Sequence, residues 1–113
     1  MIKSYSRDVI PGLECEKVRS IDGSYLAFYD DEMPKWKVIP TKTKGRFSLY
    51  HLNQRGDYGW HFQEVVGRLP DVLFQIAMHE AFERRLIKPN DKKYINWNLN
   101  DMVKLLRGKV KEV

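Results

Sequence analysis

Cysteine is almost missing from this chain of 113 residues, where Cys15 stands alone. One thiol cannot close an internal disulfide, which excludes a stapled secreted mini-domain and makes a reducing, intracellular and therefore cytoplasmic setting the expected one. It also excludes a thiolate-rich zinc site. The acids flanking it, Glu14 and Glu16, raise a thiol's pKa, so no nucleophilic role is expected of it. No apolar run approaches bilayer length, so no membrane partner is expected, and the opening residues hold no export signal. Internal repeats, low-complexity stretches and long linkers are missing too, so residues 1–113 are expected to form a single domain. Gly-rich phosphate loops and nucleophile-elbow glycines are also absent. No catalytic residue and no cofactor is assigned, and a non-enzymatic role is favoured.

The most informative gap is local. Between Met33 and Gly56 the chain has no acid but holds Lys35, Lys37, Lys42, Lys44, Arg46 and Arg55, interleaved with Trp36, Phe47 and Tyr50. Cations displace the counterions condensed on a phosphate backbone, and flat rings accept any base face. A second basic cluster is Arg84, Arg85, Lys88, Lys92 and Lys93, interrupted by Asp91. The formal net charge is +5, which suits an anionic partner. The structural alternatives are ordinary ones. Lysine on an edge strand discourages aggregation, and cations near a helix C-terminus complement its dipole.

Periodicity gives an α+β architecture: a small antiparallel sheet of four to five strands, packed by one long helix and a short C-terminal helix. Asp22-Gly23 is the strongest hairpin signal, between strands at 17–21 and 25–29. A strand over 35–39 is expected to turn Lys35 and Lys37 outward and Trp36 inward. The loop 41–45 looks flexible. Strands at 46–52 and 58–62 form a further hairpin, with Tyr58, Trp60 and Phe62 expected to face the core, His51 pointing inward and His61 away from it. From Pro70 to Ile87 the apolar positions recur at helical spacing, with His79, Glu80 and Glu83 on the wet side. Leu99, Met102, Val103 and Leu106 make the stripe of the last helix, capped by Asn98 or Asn100.

Metal chemistry finds little support. His79-Glu80 is half of a helical zinc-protease pattern, but position 83 is Glu, so the second ligand is missing and no metal site is assigned. Asp30-Asp31-Glu32 lacks the twelve-residue calcium-loop pattern and suits a solvated turn. Ile10-Pro11-Gly12-Leu13-Glu14, followed by Val18-Arg19-Ser20 and Asp22-Gly23, resembles segments that accompany the His-Asn-His homing endonucleases of phages. The paired catalytic histidines and downstream asparagine of that family have no counterpart here.

The leading expectation is a small nucleic-acid-binding or regulatory protein. DNA or RNA would be held by Lys35, Lys37, Lys42, Lys44, Arg46, Tyr50 and Arg55, joined by Arg84, Arg85 and Lys88 if both clusters share a surface. The alternative is an inhibitor or adaptor module docking on an acidic protein surface, with Trp36, Tyr50 and Arg55 as anchors. A metal-dependent nuclease using His61 or His79 comes third.

Overall fold

Alternating strands joined by short turns pair with their sequence neighbours, and this chain follows that rule throughout. The computed structural model describes residues 9–21, 23–52, 59–88 and 91–108. The strands β1 (Glu14–Ser20), β2 (Gly23–Asp30), β3 (Met33–Pro40), β4 (Phe47–Leu52) and β5 (Trp60–Gly67) form one antiparallel meander in that order. The helices α1 (Leu69–Glu83) and α2 (Leu99–Leu106) complete an α+β fold. The loop 53–58, and Arg55 with it, lies outside the described residues.

The turns follow from backbone chemistry. Ser20 pairs with Gly23, whose φ of 125° suits glycine alone. Asp30 pairs with Met33 across Asp31 and Glu32, both at positive φ (50° and 70°), the signature of a type I′ turn. Loop 41–46 is tighter than its composition suggests. The Thr41 N–H donates to the Arg46 carbonyl at 2.9 Å, the Arg46 N–H to the Thr43 carbonyl at 3.0 Å, and the Thr43 N–H to Thr41 Oγ1 at 3.1 Å.

Cross-strand register sorts the side chains into two faces. Cys15, Phe28, Trp36, His51 and His61 lie in one row, and Lys17, Leu26, Val38 and Leu49 in the next. Cys15, Phe28, Trp36, Val38 and Leu49 of these rows form the core with Val72, Leu73, Ile76 and Ala77 of α1 and Met102 and Leu105 of α2. Burial pushes the Cys15 thiol up to about 11. The opposite face carries Glu16, Ala27, Lys37 and Tyr50 in one row, with Leu52 and Trp60 paired beyond them.

Two faces differ from the alternation read off the sequence. Trp60 lies on the face away from the helices, and His61, expected outside, shares the helix-side face with His51. Lys35 also turns inward. Phe28 pairs with Trp36 but Tyr29 with Pro34, so Lys35 is the extra residue of a β-bulge. The bulge swings it to the helix side beside Trp36, and it is buried.

The helix α1 ends four residues earlier than Ile87. The Arg85 N–H donates to the Phe82 carbonyl and the Leu86 N–H to the Ala81 carbonyl, which is a Schellman closure with Arg85 at φ 61°. Asn98 caps α2 through a reciprocal capping box with Asp101.

Candidate nucleic-acid interface

Lys37 projects from the middle of β3 onto the face that no described helix covers. Its ammonium lies 4.6 Å from the Trp60 ring centroid and 5.4 Å from that of Tyr25, a cation held over two aromatic faces. Tyr50 stands opposite Lys37 on β4, half-buried on the same face. Tyr29 also lies there, its hydroxyl donating to Glu16 Oε1 at 3.2 Å. The small side chain of Ala27 is shaded among these long neighbours and is buried. The result is a ring-bearing sheet surface with one ammonium at its centre.

At the end of the sheet where β3 finishes and α1 begins, the hydrogen-bonded turn 41–46 presents Lys42, Lys44 and Arg46, all exposed. Arg19, paired with Ser24, and Arg68, directly before α1, belong to the same end. Neither was singled out from the sequence, since only the meander brings residues 19, 42–46 and 68 together. The opposite end is the acidic one, with Glu14, Asp30, Asp31 and Glu32.

The second basic cluster does not merge with the first. Fifteen helical residues separate the two ends of α1, which is about 22 Å at 1.5 Å per residue. Arg85 and Lys88 are exposed beyond its C-terminus, at the acidic end of the sheet. Arg84 is half-buried and engaged by a buried acid: its Nη2 donates to Glu80 Oε1 at 3.0 Å. Its guanidinium also lies against Gly12, where a Cβ would come within 2.7 Å of Nη2. Lys35 is therefore removed from the surface that the charge pattern suggested for it, while Arg84 stays partly exposed with its guanidinium committed to Glu80.

Lys35 belongs to the same interior network. Its Nζ lies 2.8 Å from Glu80 Oε2 and 2.7 Å from Glu83 Oε1, with Asp30 at 4.0 Å. Trp36 Nε1 also donates to Glu80 Oε2, at 3.0 Å. Glu80, expected on the wet side of the helix, is thus a buried carboxylate with three donors. Burial alone would raise its pKa, but the hydrogen bonds from Lys35 and Trp36 prevail and hold it below the usual carboxylate range. Burial would lower Lys35, and the bonds to Glu80 and Glu83 outweigh it and raise it.

The Trp36 ring stacks on His51 with centroids 4.2 Å apart and meets His79 at 5.4 Å. Burial lowers the pKa of both histidines. Among the described residues no group of three or more His, Cys, Asp or Glu side chains is arranged to hold a metal ion. No described helix is long and apolar enough to cross a membrane. No protein-family model, curated protein or solved structure matches this chain.

Proposed function

We propose that the uncovered sheet face binds single-stranded nucleic acid without strong sequence preference. The observation that carries this reading is Lys37 held over Tyr25 and Trp60, on a face continuous with the acid-free turn 41–46. Bases stack on the rings while Lys42, Lys44 and Arg46 neutralise phosphates beyond the strand ends. Single strands are favoured over duplex because a stacking surface needs unpaired base faces. The contacts are distributed and mostly electrostatic, as expected for a binding or regulatory protein rather than an enzyme.

The test is fluorescence anisotropy with labelled twelve-nucleotide dT and rU strands and a twelve-base-pair duplex, across a potassium chloride series. If three phosphates are neutralised, log affinity falls with log salt at a slope of about −2 for a single strand. Trp60→Ala weakens binding by about 1–3 kcal/mol, the usual contribution of one stacked base. The triple substitution Lys42→Glu, Lys44→Glu, Arg46→Glu flattens the salt slope. Equal affinity for the wild type and both variants would refute the reading, as would tighter binding to the duplex than to either strand.

A further inference from the structure

The two ends of the sheet have complementary chemistry. Beside the first turn of α1, on the helix-side face, lies an open groove of about 260 Å³. Leu26, Val38 and Phe47 of the strands, Leu69 of α1, and Lys17, Ser24 and Tyr25 line it. Arg19 follows Lys17 on the same face of β1, and Arg68 precedes Leu69. The acid of the α1 first turn is Asp71, near Gly67. The hollow is smaller than the roughly 300–1,000 Å³ of small-molecule sites. It is the size of an anchor pocket for one apolar side chain, inside a basic rim. Ile21, 99% exposed in the turn after β1, adds apolar surface at the same end of the sheet.

The opposite end carries a matching shape. The type I′ turn between β2 and β3 projects Asp31 and Glu32, both exposed, next to Met33, which is 56% exposed. A flexible apolar thioether flanked by acids is what a basic-rimmed apolar groove accepts. Among the described residues, Arg85 and Lys88 at this end follow α1, and Lys35 and Arg84 are paired with acids of α1. The geometry points to head-to-tail self-association, in which Met33 of one copy enters the groove of the next while Asp31 and Glu32 meet Lys17, Arg19 and Arg68. Because the two patches differ, the contact is heterologous, and successive copies add in a row unless the rotation closes a ring. Tyr25 is shared with the nucleic-acid reading, but the two are tested apart because the assembly uses neither Trp60 nor Lys37.

Sedimentation velocity tests it on the full chain at low salt, from about 10 µM to about 1 mM, the range suited to a small transient interface. The weight-average mass rises with concentration and falls back when salt is added. A groove variant, Lys17→Glu with Arg19→Glu, and a turn variant, Asp31→Ser with Met33→Ser, each stay monomeric alone. Mixed in equal amounts they form a dimer and go no further, because one intact groove meets one intact turn. Ser24→Trp, which fills the groove without altering charge, repeats the groove result, and circular dichroism verifies that each variant is folded. Trp60→Ala assembles like the wild type. A wild type that stays monomeric to about 1 mM overturns the inference. So does assembly that persists in both variants, or a mixture that remains monomeric.

Discussion

Lys35 and Lys37 leave one strand two residues apart, and simple alternation would place both on the same face. Lys37 follows that rule and lies over Tyr25 and Trp60 on the uncovered face. Lys35 sits in the bulge opposite the Phe28–Tyr29 step, turns to the helix side and is enclosed by Glu80 and Glu83. The difference teaches that a cation's role is set by what a neighbouring element offers it. A buried ammonium is tolerable only with carboxylates in reach, and α1 supplies two, one turn apart. Lys35 ties β3 to α1, and Arg84 extends the tie to the turn at Gly12. Lys37 keeps its ammonium over rings on the face opposite the helices.

The sharpest way to break this contrast is to remove the shared carboxylate. Glu80→Ala leaves the buried Trp36 indole N–H without its acceptor and Lys35 with Glu83 alone, and should destabilise the fold by about 3 kcal/mol in urea denaturation. Lys35→Met combined with Glu80→Leu replaces the pair by apolar groups of similar size. It should recover about 2 kcal/mol of that loss, because an absent ion pair costs less than a broken one. Glu80→Ala with near-wild-type stability would mean that the network is solvated.

The α+β class and the hairpin at Asp22-Gly23 were legible because turn residues, alternating strands and a capping asparagine at 98 or 100 are local signals whose chemistry acts within a few residues. The bulge at Lys35 was not. An extra residue in a strand leaves no period of its own, and this one is held by Glu80 and Glu83, more than forty residues away. The Trp60 face was misread for a related reason. Alternating aromatics at 58, 60 and 62 look like a core face, whereas pairing to β4 places Trp60 beside Leu52 on the other side, under Lys37. Of the candidate binding residues, Lys37 and Tyr50 lie on the face opposite the helices, and Lys42, Lys44 and Arg46 are exposed in the turn at its end. Tyr25 joins that face only through the meander, which also brings Arg19 and Arg68 to the same end of the sheet.

A pH series sharpens the contrast at intermediate magnitude. The folded state depresses His51 and His79 below 6.5 and Glu80 below 4.5, so their contributions are complete above those values and are lost as pH falls through the depressed ones. Cys15, raised from 9.0 to about 11, and Lys35, raised above 10.5, act oppositely: their contributions are complete below 9.0 and 10.5 and are lost as pH rises. Urea midpoints should therefore be flat between about pH 6.5 and 9 and decline on both sides. Cys15→Ala should delay the alkaline decline to the Lys35 range. Lys37→Ala should cost no more than about 1 kcal/mol of stability, the scale of an exposed cation–ring contact.

The smallest expected effect concerns the point where α1 stops. The carboxylates reach Lys35 because the helix runs to Glu83 and then closes through Arg85, a side-chain-bearing residue in the left-handed region at φ 61°. Glycine occupies that conformation without steric penalty, and for other L-residues it costs about 1–2 kcal/mol. Arg85→Gly should therefore raise stability by about 1 kcal/mol, less than the full penalty because glycine also loosens the unfolded chain. Arg85 is exposed and stands at the far end of α1 from Lys42, Lys44 and Arg46. The same variant should accordingly leave single-strand affinity within twofold of the wild type, a factor of about 0.4 kcal/mol. Lower stability would mean that the side chain of Arg85 has a structural partner. A large loss of binding would mean that the second basic cluster reaches the same ligand as the first, and that the two ends of α1 work as one surface.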